Sequence, residues 1–215
     1  MKKQLACLAV LSSLIVGTTA VQATVPTAEL KVTGSLSVPS CTVNAPDSGV
    51  YDLGVIGPSQ IKSGTATTSL PSISKSWVIN CDGMTYLNVK PVDNRVGTAS
   101  VVDSSHFGLG NVNGDGKIGY YSLVMSDGMV DGKASNLFLT DTGNFTTSYP
   151  AVGLNSDKSI SAGWAASSST QAAGKVFSAN FIVIPVLAGT THMKGTITEE
   201  TKIDGSATMN FAFGI

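Results

Sequence analysis

The chain predicts an all-β sandwich of short strands, on three observations. Apolar residues alternate with polar ones in several separate runs, which is the period of a strand with one buried face. Charged residues are only 13% of the 215 positions while glycine alone contributes 23, a composition that suits turns and short strands better than long helices. Turn chemistry such as Asn44-Ala45-Pro46-Asp47, Asp82-Gly83 and Ser126-Asp127-Gly128 recurs between the alternating runs.

Residues 1–23 read as a secretory signal. Lys2 and Lys3 give a charged start, 5–16 is an apolar run broken by Ser12 and Ser13, and Val21-Gln22-Ala23 is a small-residue exit, with cleavage expected after Ala23. That run is too short for a comfortable membrane span, and no later segment reaches about 18 uninterrupted apolar residues. The expected plan is a signal peptide at 1–23, an N-terminal extension at 24–38 and a single sandwich at 39–215, with no membrane insertion after signal cleavage. The chain carries 13 Lys and Arg against 14 Asp and Glu, and loss of Lys2 and Lys3 makes it more acidic. This gives no support to a nucleic-acid partner or an anionic membrane surface.

Cys7 leaves with the signal, so Cys41 and Cys81 remain. In an exported protein such a pair forms a disulfide, worth about 4 kcal/mol on the loop-entropy account. Two cysteines and two scattered histidines, His106 and His192, cannot supply a tetrahedral metal set, and no cofactor is expected.

Taken in order, 28–41 comes first after the signal. Ala28, Leu30, Val32, Gly34, Leu36 and Val38 share one face, with Glu29, Lys31, Thr33, Ser35 and Ser37 on the other. A strand beside a free terminus can pair within its own domain or with a neighbour's. After the turn at 44–49 a short strand is expected at 50–56, then a polar loop at 58–70. The 73–81 run places Trp77, Ile79 and Cys81 together, Asp82-Gly83 turns the chain, and 85–90 puts Leu87 and Val89 on one face. Residues 93–116 read as a long surface connection. A strand at 117–125 ends in the turn Ser126-Asp127-Gly128, and 136–140 is a further short strand. The Ala- and Ser-rich 162–174 stretch reads as a flexible loop. The most apolar strand is 176–187, where Pro185 lacks an N–H and argues for an edge or a strand end. Ala207, Met209, Phe211, Phe213 and Ile215 share one face of the closing strand.

In this order the residues resemble the pilin subunits of chaperone–usher fimbriae and their pilin-like relatives. The matching pieces are the signal, the alternating segment with Gly34 ahead of Cys41, Cys41-Thr42-Val43, Leu53-Gly54, and a strand ending in Cys81-Asp82. The 117–131 stretch, Phe177-Ser178-Ala179 and the closing 205–213 strand complete the set. Gly214 departs from the pattern, standing where such chains commonly carry a tyrosine, and Gly205 lies closer to the end than their usual glycine. The resemblance implies an immunoglobulin-like (pilin-type) β-sandwich with an incomplete sheet, whose missing strand leaves an apolar groove. A periplasmic pilus chaperone fills that groove first, and the extension of a neighbouring pilin subunit replaces it at an outer-membrane usher, by donor-strand exchange. By position the donor residues are Ala28, Leu30, Val32, Gly34 and Leu36. The acceptor-groove strand is Ala207, Met209, Phe211, Phe213 and Ile215, with the Ile215 carboxylate available to a basic chaperone anchor. The function so implied is that of a structural subunit of a surface fimbrium, exported through the periplasm to the cell surface for cell adhesion.

Other readings stand beside this one. The 28–38 run can be an ordinary first strand within its own domain. An open apolar edge alone in solution is an aggregation hazard, which is itself a reason to expect a chaperone. A self-contained secreted sandwich that binds carbohydrate or protein is the alternative, with Phe107, Tyr149 or Trp164 stacking on a sugar or packing in the core. No G-x-S-x-G elbow, H-E-x-x-H or paired-carboxylate motif accompanies His106 and His192, so an enzyme is not expected. Asn111, Asn113 and Asp115, followed by Gly116, imitate the start of a calcium loop, yet Ser122 stands where a bidentate Glu belongs. Plain turn chemistry at Gly114-Asp115-Gly116 is the competing reading.

Overall fold

Along residues 25–214, which the computed structural model describes, the strands run β1 (Cys41–Asn44), β2 (Thr68–Ser69), β3 (Ile73–Asp93), β4 (Phe107–Gly108), β5 (Asn111–Val112), β6 (Gly116–Lys117), β7 (Gly119–Val130), β8 (Lys133–Ala134), β9 (Asn136–Thr140), β10 (Ala151–Leu154), β11 (Ser161–Ala165), β12 (Ala173–Leu187) and β13 (Ala207–Phe213). Two short 3-10 turns, Pro46–Gly49 and Pro58–Gln60, lie between β1 and β2. The signal segment at 1–23 and Ile215 lie outside the described residues.

The 21-residue β3 organises the rest. Its first half pairs antiparallel with β1, from Cys41 opposite Cys81 to Asn44 opposite Val78, and with β12. Its second half pairs with β13, from Ala207 opposite Asp93 to Phe213 opposite Leu87, and with β11. One ladder series therefore runs β1-β3-β12-β7-β10 and the other β13-β3-β11-β9. The result is all-β, a curled antiparallel sheet consistent with a β-sandwich. Cys41 and Cys81, directly opposed in the ladder, are disulfide-bonded.

The alternation read from sequence places the core. Ile79, Leu87 and Val89 of β3, Leu123 and Met125 of β7, and Phe177 and Phe181 of β12 are buried together. Burying each such side chain contributes about 1.5–3 kcal/mol. Trp164 of β11 packs on Phe177 with ring centroids 5.2 Å apart, and its indole N–H donates to the Ser178 carbonyl at 2.8 Å.

Several expectations need correction. Residues 25–40 contain no strand, and Leu30, Val32 and Leu36 are almost fully exposed. Alternation makes a segment able to pair, but a ladder needs a second backbone. Residues 50–56 likewise join no ladder. Asp82-Gly83 is not a turn: β3 runs straight through it, with the Asp82 carboxylate accepting the Ser40 amide at 2.9 Å. Nor does Ser126-Asp127-Gly128 end β7. The register against β12 shifts there, and Asp127 takes a φ of 51°, as a bulged residue does. The turn comes later, at Asp131 and Gly132, with φ values of 49° and 76°.

The 93–116 connection is not merely surface, because Phe107, Leu109 and Val112 are buried in the core. The supposed loop at 162–174 begins with β11, whose Trp164 is only 1% exposed. Pro185 lies within β12 between two neighbours, but just past Val183, the last residue paired with β3. Its missing N–H thus falls where that neighbour has run out.

Candidate functional site

An open groove of about 980 Å³ lies between residues 49–61 on one wall and 197–209 on the other. Its floor is sheet: Trp77 of β3, Tyr121 and Leu123 of β7, and Phe181 and Val183 of β12. Leu53, Ile56 and Ile61 line the first wall, and Ile197, Ile203 and Met209 the second. These six are half-buried and packed against the core. Apart from Ala207 and Met209 of β13, neither wall belongs to a strand. The groove is therefore an open trough with a largely apolar sheet floor between two walls of mostly irregular backbone.

Specific polar contacts fix the first wall. The Tyr51 hydroxyl donates to the Phe181 carbonyl at 3.0 Å and accepts the Trp77 indole N–H at 3.1 Å. Lys75 lies over the Tyr51 ring, 5.4 Å from its centroid, and pairs with Asp47. Burial pushes the Tyr51 phenol pKa up, opposed by the Trp77 hydrogen bond. Gly49, at φ 81°, takes a backbone conformation that side chains rarely adopt and lets the wall start beside Trp77.

The second wall is anchored through Asp93, which is buried at 5% exposure. One carboxylate oxygen accepts the Arg95 amide at 2.8 Å and the other the Gly108 amide at 3.0 Å. Arg95 in turn pairs with Asp204, and its Nε donates to the Asp204 carbonyl at 3.1 Å. The Asp204 amide donates to the Leu109 carbonyl at 3.2 Å. Burial, and then the Asp93 charge, hold the Tyr121 phenol well above its ordinary pKa. At the far end Leu109, Ile118, Leu187 and Met193 complete the lining. Along the lip stand Asp52, Glu199, Glu200, Lys202 and Asp204.

Of the expected acceptor strand, Ala207, Met209 and Phe211 turn half-buried sides inward, opposite Asp93, Pro91 and Val89 of β3. Phe211 meets Phe181 edge-on with centroids 6.5 Å apart. Phe213, opposite Leu87, is 39% exposed. Ile215 and its carboxylate lie outside the described residues. The walls at 49–61 and 197–204 were missed as groove walls in the sequence. Ile197 and Ile203 in a polar stretch, and Leu53, Ile56 and Ile61 after the first turn, were the available signal.

Other expected candidates have ordinary roles. Phe107 and Trp164 are buried, which leaves Tyr149 as the exposed member of that aromatic trio. The His106 ring stacks on Tyr120 at 3.7 Å, with Nδ1 3.0 Å from the Val101 carbonyl oxygen. Residues 111–117 form the β5–β6 hairpin, with Asn113 at φ 49° and Gly114 at φ 86°, the pattern of a tight hairpin turn. Asn113 Nδ2 donates to the Met193 carbonyl at 2.9 Å, and Asp115 pairs with Lys194. Residues 113–115 are thus a hairpin turn whose Asn113 and Asp115 side chains brace it against residues 193 and 194. Among the described residues no cluster of His, Cys, Asp and Glu is placed to hold a metal, and no helix is long and apolar enough to cross a membrane. No family model and no curated protein matches the chain.

Proposed function

We propose that this chain is a structural subunit of a surface fimbrium, an immunoglobulin-like pilin whose open groove accepts the 28–36 segment of a second copy. The observation that carries the reading is the trough itself. Its floor is largely apolar sheet, its lip is charged, and apart from Ala207 and Met209 its walls are backbone that joins no ladder, a form that suits strand addition. The donor has the complementary character: Ala28, Leu30, Val32, Gly34 and Leu36 alternate, carry no strand in residues 25–36, and expose their apolar side chains.

On this reading the inserted backbone supplies registry, and Leu30, Val32 and Leu36 enter the trough. A periplasmic pilus chaperone occupies it beforehand and an outer-membrane usher exchanges the two, because an exposed apolar edge is otherwise an aggregation hazard. Residues 1–23 are the export signal that brings the chain to that machinery.

The test moves the donor. Residues 24–38 are deleted from the front and attached behind residue 215 through a flexible linker, with a scrambled 24–38 sequence as control. The proposal expects the authentic tail to give a monomer with a melting temperature clearly above that of the scrambled control. Equal melting temperatures and equal oligomeric states would contradict it.

A further inference from the structure

We propose that the sheet flooring the groove uses its opposite, outward face to pack against the same face of a second copy of this chain. Alternate residues of the same strands serve the two faces, so this contact and the groove reading fail separately. On β12, Phe181 and Val183 line the groove, while Ser178, Asn180, Ile182, Ile184 and Val186 point away from it. On β7, Tyr121 and Leu123 line it, and Tyr120, Ser122 and Val124 point away. On β3, Trp77 lines it, and Ser74, Ser76 and Val78 point away. The register sets these outward residues in rows. Ile182 stands between Ser74 and Val124, with Gly153 of β10 beyond, and the next rows pair Ile184 with Ser122 and Val186 with Tyr120.

The first observation is the apolar character of β12. An antiparallel sheet with one solvated face alternates apolar with polar, whereas a strand covered on both faces is apolar throughout. From Phe181 to Leu187 the strand reads Phe-Ile-Val-Ile-Pro-Val-Leu. The core accounts for Phe181, Val183 and Leu187. Ile184, on the other face, is 36% exposed, and Ile182, Val186 and Val124 around it are only half-buried. The sequence thus provides for a second cover that one copy of the chain does not supply.

The second observation is charge. None of the outward residues named above is Lys, Arg, Asp or Glu. Charge returns at the margins. Asp82 and Lys90 stand at outward positions farther along β3. At the β7 bulge the Asp127 carboxylate accepts Asn180 Nδ2 at 2.9 Å and the Ser126 hydroxyl at 2.8 Å. An uncharged centre within a polar rim is the composition of an interface core.

Area and symmetry select the occupant. From Ser178 to Val186 the face is about 30 Å long, and β10, β7, β12 and β3 side by side make it about 19 Å wide. Two such faces meeting would bury roughly 1,200 Å² in total, the lower end of specific interfaces. A two-fold axis near Ile184 lays the apolar spine of β12 on its own copy and places the flanking serines around it. Two uncharged faces meet without repulsion, and sheets stack in this way about 10 Å apart. A charged partner surface would lose its hydration and find no opposite charge here.

The test is a dilution series of the exported chain, residues 24–215, read by sedimentation velocity and amide NMR, with and without excess 24–38 peptide to occupy the groove. The expected result is a monomer–dimer equilibrium with a Kd on the order of 10–100 μM, as suits so small an area. It should persist in the presence of the peptide. The concentration-dependent shifts should fall at Ser122, Val124, Ile182 and Ile184, and not at Leu53 or Ile203. Ile184→Lys should weaken the dimer at least tenfold while leaving the melting temperature of the dilute chain unchanged, because the new side chain points to solvent in the monomer. Ser122→Arg repeats the test from β7, so that misfolding of one variant does not decide the outcome. The proposal is overturned if the chain stays monomeric throughout the series, if the peptide abolishes the association, if the shifts are confined to the groove or to 28–36, or if both variants dimerise as the wild type does. Failure of the peptide to bind would contradict the groove reading alone.

Discussion

The Tyr51 hydroxyl accepts the Trp77 indole N–H at 3.1 Å and donates its own O–H to the Phe181 carbonyl at 3.0 Å. One phenol thus ties the 49–61 wall of the groove to two strands of its floor. Tyr51→Phe removes both bonds and leaves the Trp77 N–H without its acceptor. A loss of about 1–2 kcal/mol in unfolding free energy is expected, read as a lower urea midpoint at unchanged slope.

Alkaline stability should depend on the same wall and on the floor beside it. Tyr51 and Tyr121 both have pKa values raised above 10.0, mainly by burial. The protonated phenols favour the folded state, so their contribution is intact below about pH 10 and is lost as pH rises towards their folded values. Phenolate absorbance should therefore show Tyr51 and Tyr121 titrating late. The melting temperature should fall above about pH 10, and more shallowly in Tyr51→Phe.

Acid acts through a different group. The Asp131 carboxylate accepts the Val176 amide at 2.8 Å and the Lys175 amide at 2.9 Å, across the register shift in β12. Those two bonds hold its pKa below 3.8. Its contribution is present above the ordinary carboxylate pKa and is lost as pH falls through the lowered folded value. A carboxyl NMR titration should place Asp131 below an ordinary aspartate, and Asp131→Asn should flatten the acid limb of the melting curve.

The disulfide joins residues 40 positions apart. Replacing Cys41 and Cys81 together by serine is expected to cost about 4 kcal/mol on the loop-entropy account. The reduced wild-type chain should show the same fall in urea midpoint as the double variant.

Much of this architecture was legible in the sequence, for identifiable reasons. The strand at 136–140, the inward set Trp77, Ile79 and Cys81, and the cysteine pairing follow from alternation and cysteine count. What was not legible depended on long-range partners. Asp82-Gly83 and Ser126-Asp127-Gly128 carry turn chemistry, yet ladders with β12 on either side of each segment carry β3 and β7 on through them. Ala162, Gly163 and Ala165 have little strand propensity, but β11 pairs with β9 on one side and β3 on the other. Trp164→Ala tests that correction: a buried Trp in a strand should cost about 3–5 kcal/mol, whereas a loop residue would stay within about 0.5 kcal/mol. The groove needed the 197–204 wall, which has no alternation to announce it. Its position depends on the Arg95–Asp204 pair, 109 residues apart in sequence.

The most direct measurement adds a peptide of residues 24–38 to the chain lacking those residues, and follows amide shifts and melting temperature together. The account predicts saturable binding, shifts concentrated at Leu53, Ile56, Ile203 and Met209, and a rise in melting temperature that Leu30→Asp or Val32→Asp in the peptide abolishes. A chain that melts cooperatively as a monomer and is indifferent to the peptide would contradict it.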